Sequence, residues 1–330
     1  MTTRTLGDGG PAVFPLGLGC MTMTGGYGVA PDRQDMVRLL RRAVGQGVTL
    51  FDTAEVYGPH SNEELLGEAL ADRPADVVIA TKFAMDIDPV TRKPRGALLR
   101  PDEVAAAAEG SLRRLGIERL DLYYQHRINP DIPIEDYAGA VSQLVDAGKV
   151  HRYGLSEASE NTIRRAHAVL PLAAVQSEYS LWWRRPDEGV LSACGELGIA
   201  FVPYSPLGKG FLTGTITASS SFGEGDLRAS IPRFGPDALE HNLRLVDVVR
   251  DIAGEQGATP GQIALAWLLA REPFIIPIPG TTKAHRLDEN LGAVDITLAD
   301  AQMQRLTALS DDAAVVGGRY PDHHEAQTDI

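Results

Sequence analysis

Short apolar runs alternate with helical patterns along this chain, and that alternation constrains its fold more than any other feature. Most runs are followed by a segment with apolar residues three and four positions apart and a glycine near its end. A repeated strand–helix order implies parallel strands joined by right-handed crossovers. The eight strand candidates are FPLGLGCM, TLF, VVIATKF, LDLYYQ, VHRYGL, LAAVQ, IAFVPY and FIIPIPG.

Eight such units without a break in composition favour a (β/α)8 TIM barrel over an open sheet. A chain of 330 residues could form two domains by length alone, but α/β barrels of this size are routinely single units. We therefore expect residues 1–330 to form one α/β barrel domain. The opening RTLGDGGPAVFPLG places turn residues between two short runs, which predicts an N-terminal β-hairpin that plugs the bottom of the barrel.

One connection is much longer than the others. Residues 208–236, after the seventh strand candidate, are rich in glycine and serine. A loop longer than about 15 residues inside a compact domain is usually functional or disordered, and at the carboxyl end of a barrel strand we expect a functional lid. Two helices are expected between this loop and the last strand, at residues 238–257 and 259–273, and the polar end at 311–330 is expected to be loosely held.

Composition and charge argue against several classes of function. The net charge of -13 disfavours a nucleic-acid surface, which needs clustered lysine and arginine. Cys20 and Cys194 have neither CxxC nor Cys/His spacing, so neither a disulfide framework nor a metal site is expected. The start has no signal-like apolar run, and no apolar run approaches the roughly 18 residues that span a bilayer, so we expect a cytoplasmic protein without a membrane partner.

Polar residues stand at the ends of successive strand candidates. In a barrel these carboxyl ends meet on one face, where active sites form. Each residue alone has a structural explanation, such as helix capping or a solvated charge, but their recurrence at equivalent positions argues for a site. The six residues are Asp52, Lys82, His126, Ser156, Gln176 and Tyr204.

The stretch FDTAEVYG, residues 51–58, adds a phenol to this set. A free phenol has a pKa of about 10, and a neighbouring ammonium such as that of Lys82 stabilises the phenolate and lowers this pKa. A buried Lys82 would lose its own charge unless a carboxylate paired with it, and Asp52 is placed to do so. The pattern therefore predicts that Asp52 keeps Lys82 charged and that Lys82 tunes Tyr57 as an acid.

The chain resembles the aldo-keto reductase family over nearly its whole length. The resemblance places Asp52, Tyr57, Lys82 and His126 at the catalytic tetrad of that family. It implies the barrel, a nicotinamide cofactor and carbonyl reduction. The motifs that carry it are GLGCMTM, FDTAEVYG, NEELLGEAL, IATKF, YYQHR, YGLSEAS, VQSEYSL, VPYSPLGKGFLTG and PIPGTTKAHRLDENL.

The same resemblance assigns residues to a cofactor. Ser156 and Gln176 would hydrogen-bond the nicotinamide carboxamide, and Tyr204 would stack on the ring. Three sets follow from the nicotinamide to the adenosine end: Ser205, Leu207 and Gly208 for the pyrophosphate; Thr281, Lys283 and Arg286 for a 2′-phosphate; Glu289 and Asn290 for adenine. The expected cofactor is therefore NADPH.

Two positions depart from the family pattern. Glu157 stands where members often have asparagine, and a carboxylate cannot donate an amide hydrogen bond, so one carboxamide contact stays open. Gly280 stands where some members place a lysine near the 2′-phosphate, and Lys283 would substitute for it.

The resulting expectation is NADPH-dependent reduction of an aldehyde or ketone, with hydride from the nicotinamide, a proton from Tyr57 and no metal. His126 would orient the carbonyl, and Arg127 could meet an anionic group. The expected partner is a small carbonyl substrate, and the expected state is a monomer or weak homo-oligomer. An aromatic mouth is predicted from Tyr27, Phe83, Trp182 and Trp183.

Two alternatives of other classes stay open. A Schiff-base aldolase acting through Lys82 would need an uncharged amine, which pairing with Asp52 disfavours. The other alternative is a regulatory subunit or redox sensor of the same fold that binds the cofactor with little turnover, and the intact tetrad does not exclude it.

Overall fold

The apolar runs of the sequence fold as short strands in the computed structural model, which describes residues 3–88, 90–91, 93–309 and 315–330. Turn residues bound each strand, as predicted. The strands are β1 (Arg4–Thr5), β2 (Ala12–Val13), β3 (Leu18–Gly19), β4 (Leu50–Asp52), β5 (Val78–Phe83), β6 (Met85–Ile87), β7 (Pro94–Leu98), β8 (Leu122–Gln125), β9 (Tyr153–Ser156), β10 (Leu172–Glu178) and β11 (Ala200–Tyr204).

Seven strands form one parallel sheet, in the order β3-β4-β5-β8-β9-β10-β11. The segment at residues 274–280 lies between the two outer strands: the Ile276 amide donates to the Phe201 carbonyl at 2.8 Å, and Gly280 pairs with Gly19. The sheet is thereby nearly closed, which confirms the predicted α/β barrel. The eighth strand candidate is irregular because Pro277 and Pro279 have no N–H to donate to a ladder.

Amphipathic helices follow the strands and cover the outside of the sheet. The Asp32 carboxylate caps the first helix by accepting from the Asp35 amide at 3.0 Å, and Thr259 with Gln262 forms a capping box on another. The helices are α1 (Arg33–Gly45), α2 (Ser61–Ala69), α3 (Val104–Leu115), α4 (Ile134–Asp146), α5 (Glu160–Val169), α6 (Val190–Leu197), α7 (Pro236–Gln256), α8 (Pro260–Arg271), α9 (Ala284–Leu291), α10 (Asp300–Ala308) and α11 (Asp322–Glu325). Both helices predicted after the long loop are present as α7 and α8.

The N-terminal hairpin closes one end of the barrel. Strands β1 and β2 pair antiparallel, with Arg4 opposite Val13, as predicted. Leu6 and Val13 belong to the apolar cluster formed by the inner side chains of the strands, among them Leu50 and Leu122. Those contacts place the hairpin over the interior of the barrel.

Two insertions extend the opposite end. The long loop after β11 contains three short 3-10 turns, at Gly208–Thr213, Leu227–Ser230 and Pro232–Phe234. A second antiparallel hairpin, β6 and β7, follows β5 and was not predicted, because charged residues and proline interrupt its short apolar runs.

The C-terminal segment, residues 315–330, is tied down more firmly than expected. The Asp329 amide donates to the Glu157 carbonyl at 3.0 Å, and the Asp329 carboxylate accepts from the Ser159 amide at 2.8 Å. These bonds hold the end of the chain at the carboxyl end of β9. Within the part of the chain that the structure describes, no helix combines the length and apolarity needed to cross a membrane.

Candidate active site

A cavity of about 800 Å³ lies at the carboxyl ends of the barrel strands. Its wall combines strand ends, the loop after β11, helix α9 and the C-terminal segment. Most of the residues predicted for the site line this single cavity. They are Asp52, Tyr57, His126, Ser156, Gln176, Tyr204, Ser205, Leu207, Gly280, Thr281, Arg286, Glu289 and Asn290.

Three predicted residues stand apart from the cavity wall. Lys82 is 0% exposed, and its ammonium group contacts the site through the hydroxyl of Tyr57. Gly208 is buried with a φ of 58°, and a Cβ there would approach Trp182 to 2.9 Å. Lys283 is exposed immediately before α9.

The Lys82 ammonium joins three residues of the site. Its Nζ donates to Asp52 Oδ1 at 2.5 Å, to the Thr53 carbonyl at 2.8 Å and to the Tyr57 hydroxyl at 3.3 Å. Strands β4 and β5 are neighbours in the sheet, which brings Asp52 and Lys82 together. Burial alone would lower the pKa of Lys82, but the carboxylate of Asp52 and the phenol of Tyr57 offset burial and raise it.

The second carboxylate oxygen of Asp52 is also bound. Gln176 Nε2 donates to Asp52 Oδ2 at 2.7 Å, across the barrel interior. The family resemblance implied only a carboxamide contact for Gln176, and the bond to Asp52 is a second contact. Because both of its oxygens accept hydrogen bonds, the carboxyl group of Asp52 is held in a fixed orientation beside Lys82.

Tyr57 is a neutral phenol in this environment. Burial raises its pKa, Lys82 lowers it and Asp52 raises it, and the pKa lies above its ordinary value. The effect of Lys82 has the predicted sign, but the expected net lowering is wrong because burial outweighs it. A neutral phenol at physiological pH is a proton donor.

His126 faces Tyr57 edge-on, with ring centroids 5.8 Å apart and planes at 86°. Burial, Arg127 and Lys82 hold the pKa of His126 well below its ordinary value, so the imidazole is neutral. Nδ1 is enclosed without a hydrogen-bond partner among the described residues. Nε2 is therefore the ring nitrogen that can reach a molecule in the cavity.

The carboxylate of Glu157, the residue that departs from the family pattern, has two structural contacts. Its Oε2 accepts from Arg319 Nη2 at 2.6 Å and its Oε1 from the Glu178 amide at 2.8 Å. The side chains of Glu157 and Arg319 are both 0% exposed. Glu157 thus anchors the C-terminal segment, and Arg319 also contacts Glu325 at 3.1 Å.

Sequence reasoning missed the contribution of the C-terminal segment to the cavity. Tyr320, Pro321, His324 and Gln327 line it, and the Tyr320 hydroxyl lies 2.8 Å from that of Tyr204. More than a hundred residues separate this segment from β11, so no local pattern predicts the contact. The only available signal was the density of aromatic and histidine side chains in RYPDHH, residues 319–324.

The predicted adenosine end is already organised by internal hydrogen bonds. Arg286 Nη1 contacts Glu289 Oε2 at 2.8 Å, and Glu289 Oε1 accepts from the Thr259 hydroxyl at 2.7 Å. The Thr281 hydroxyl accepts from the Lys283 amide at 3.1 Å, just before α9. One guanidinium nitrogen of Arg286 is thus occupied.

The predicted aromatic mouth is largely wrong. Phe83 packs on Tyr123 at 4.7 Å, Trp182 stacks on Phe211 at 3.8 Å, and Trp183 lies against the guanidinium of Arg319 at 4.5 Å. These three aromatic residues are not among those that line the cavity, whereas Tyr27 and Arg127 are. An aromatic residue near a strand end can face either the cavity or the core, and the sequence does not distinguish the two.

Comparison with known proteins extends over nearly the whole chain. A family model described as the Aldo/keto reductase family matches residues 15–311. The "Probable aldo-keto reductase 1" of Glycine max is 42% identical over 317 residues, which cover 96% of this chain and 90% of that protein.

Two solved structures share the fold. The glycerol dehydrogenase AKR11B4 from Gluconobacter oxydans superposes with a TM-score of 0.82 at 27% identity, covering 90% of this chain and 91% of that one. The thermostable aldo-keto reductase Tm1743, solved with the inhibitor epalrestat, superposes with a TM-score of 0.74 at 31% identity, covering 94% of this chain and 100% of that one.

Proposed function

Because this chain belongs to the aldo/keto reductase family, whose members generally carry out NAD(P)H-dependent carbonyl reduction, we propose that it reduces an aldehyde or ketone to the alcohol with NADPH. The observation that carries the proposal is the Lys82 ammonium, 2.5 Å from Asp52 and 3.3 Å from the Tyr57 hydroxyl at the cavity wall. In that arrangement Tyr57 can donate a proton, and the charge of Lys82 stabilises the phenolate that remains.

The residues of the cavity fit a nicotinamide dinucleotide. Its wall includes Tyr57, Tyr204, residues of the loop after β11 and Arg286. When bound, NADPH supplies the hydride. Ser156 and Gln176 would hold the carboxamide, Tyr204 would stack on the ring, Ser205, Leu207 and Gly208 would surround the pyrophosphate, and Gly280, Thr281, Lys283, Arg286, Glu289 and Asn290 would form the adenosine end.

The loop after β11 suits close approach of a phosphate. Gly208, Lys209 and Gly210 all have positive φ, at 58°, 57° and 95°. Glycine adopts such conformations without strain, and Gly210 lines the cavity without a side chain, so a ligand can approach the backbone closely there. Gly208 would act through this turn, since its own atoms do not line the cavity.

Tyr57 would donate its proton to the carbonyl oxygen as negative charge develops there. Lys82 would stabilise the phenolate that remains, and Asp52 would keep Lys82 charged throughout. General acid catalysis of this kind contributes roughly 10²–10⁴-fold to the rate.

His126 would orient the substrate. Its imidazole is neutral and lies beside Tyr57, so a proton on Nε2 can be donated to the same carbonyl oxygen. Two donors that converge on one oxygen fix the angle at which the carbonyl carbon is presented.

Consumption of NADPH in the presence of a panel of aldehydes and ketones tests this function. We expect substrate-dependent oxidation and, from cofactor deuterated at the transferred position of the nicotinamide, an alcohol that carries one deuterium. Tight NADPH binding without turnover of any carbonyl would instead support the sensor alternative. A lysine adduct trapped by borohydride would support the aldolase.

A further inference from the structure

We propose that Arg127 is a carboxylate-binding subsite, so that the preferred substrates carry a carboxylate in addition to the reducible carbonyl. This inference rests on the proposed carbonyl reduction and specifies its substrate class. Arg127 follows His126 at the end of β8 and lines the cavity.

The guanidinium of Arg127 is oriented but not neutralised. Its Nη1 donates to the His126 carbonyl at 2.7 Å, which fixes the plane of the group. Among the described residues the guanidinium has no other hydrogen bond and no ion pair. The backbone carbonyl of Arg127 accepts from Gln125 Nε2 at 3.2 Å. A guanidinium has five N–H donors, so most of them remain for a molecule in the cavity.

The other two arginines of the cavity differ in this respect. Arg228 pairs with Asp226 at 2.6 Å, and Arg286 pairs with Glu289 at 2.8 Å. Glu157 is the carboxylate whose charge acts on Arg127, and it is already bound to Arg319. Arg127 is thus the cavity arginine whose charge the described residues leave unpaired.

A partly buried charge without a counterion is costly, and a substrate carboxylate removes that cost. Arginine binds carboxylates through two parallel hydrogen bonds, which also fixes the ligand's orientation. Arg127 adjoins His126 in the chain and lines the same cavity as Tyr57, so the subsite lies beside the proposed acid. The proposed 2′-phosphate site is formed by other cations, Lys283 and Arg286 of the segment at α9.

Two matched substrates test the inference. We compare kcat/KM for 4-carboxybenzaldehyde and for its neutral methyl ester, methyl 4-formylbenzoate, in the wild type and in Arg127→Met, Arg127→Lys and Arg228→Met. Hydrogen bonds to charged groups correspond to a preference of about 10- to 100-fold for the carboxylate in the wild type. Arg127→Met should abolish the preference, mainly through KM, Arg127→Lys should retain part of it, and Arg228→Met should leave it intact.

The ester reports any damage that Arg127→Met does to folding or to His126, because such damage lowers both rates equally. A wild type that reduces both aldehydes equally well, or a preference that survives Arg127→Met, overturns the inference.

If neither aldehyde is reduced, the carbonyl panel decides the proposed function separately, and the subsite is then tested by binding alone. Calorimetry on the NADP⁺ complex compares 4-(hydroxymethyl)benzoate with its methyl ester. Tighter binding of the acid that is lost in Arg127→Met supports the subsite, and equal binding overturns it.

Discussion

The hydroxyl groups of Tyr204 and Tyr320 lie 2.8 Å apart, so the strand end proposed to stack on the nicotinamide is joined to the C-terminal segment. Lys209 further supports Tyr320, with Nζ 5.1 Å from the centre of its ring. The orientation of one cavity wall therefore depends on a contact between residues 116 positions apart in the chain.

Tyr320→Phe removes only the hydroxyl of this contact. We expect the dissociation constant for NADPH to rise about 2- to 10-fold, the range of one neutral hydrogen bond, because Tyr204 loses its orienting partner. Fluorescence titration measures it. Tyr137→Phe is the control, since its hydroxyl bonds to the Leu99 carbonyl instead. Equal cofactor affinity in the wild type and Tyr320→Phe would show that Tyr320 does not position Tyr204.

The buried pair Glu157–Arg319 predicts strong coupling in a double-mutant cycle. Removing one member leaves the other charge buried, so Glu157→Gln and Arg319→Met should each lower the free energy of unfolding by about 3–5 kcal/mol, and the double variant by much less than their sum. Urea denaturation measures all three. The exposed pair Arg165–Glu135 is the control, and its expected coupling is much weaker because solvent screens the two charges. Additive effects at Glu157 and Arg319 would contradict the anchoring role.

Much of the barrel and most of the strand-end residues could be predicted from the sequence, because local patterns specify both. Strand period, helix period and turn residues act over a few positions, and the carboxyl ends of parallel strands meet on one face whatever the details of the loops. Asp52 and Lys82 could be placed side by side for that reason.

The remainder depends on long-range packing. Tyr320 lines the cavity, and its neighbour Arg319 is bound by Glu157, the residue that stands where family members often have asparagine. The pKa of Tyr57 depends on how deeply the phenol is enclosed, and the stretch FDTAEVYG does not encode that depth. Trp182 was misplaced for the same reason, since core and cavity aromatic residues look alike in sequence.

Lys82→Met should shift the pH dependence of alcohol oxidation. In that direction Tyr57 must act as a base, so the oxidation rate rises with pH through the pKa of Tyr57. Because Lys82 lowers this pKa, deleting the ammonium raises it and moves the rising limb of the pH-rate profile to higher pH. Initial rates with NADP⁺ across the pH range measure it. Lys149→Met, which removes an exposed lysine, is the control. An unshifted profile with normal activity would exclude the coupling between Lys82 and Tyr57.

The proposed adenosine end predicts a preference for NADPH over NADH. Lys283 and Arg286 lie three residues apart at the start of α9, where the helix dipole adds positive potential. Two hydrogen bonds to a charged phosphate imply a preference of roughly 10²–10⁴-fold, reduced by solvent screening and by the existing Arg286–Glu289 pair. Dissociation constants for both cofactors measure it in the wild type, in the Lys283→Ala, Arg286→Ala double variant, and in Arg305→Ala as a control. A preference that the double variant retains would place the 2′-phosphate elsewhere.

Tyr57→Phe tests most directly the claim that the Asp52, Lys82 and Tyr57 arrangement supplies the proton. The substitution removes one hydroxyl and leaves the cavity, Lys82 and Asp52 in place. Two quantities are measured in the wild type and in Tyr57→Phe. One is the single-turnover rate at which prebound NADPH is oxidised by an aldehyde that the wild type reduces, and the other is the dissociation constant of NADPH. We predict that the dissociation constant stays within about twofold while the single-turnover rate falls at least about 10²-fold. A single-turnover rate in Tyr57→Phe equal to that of the wild type would contradict the account.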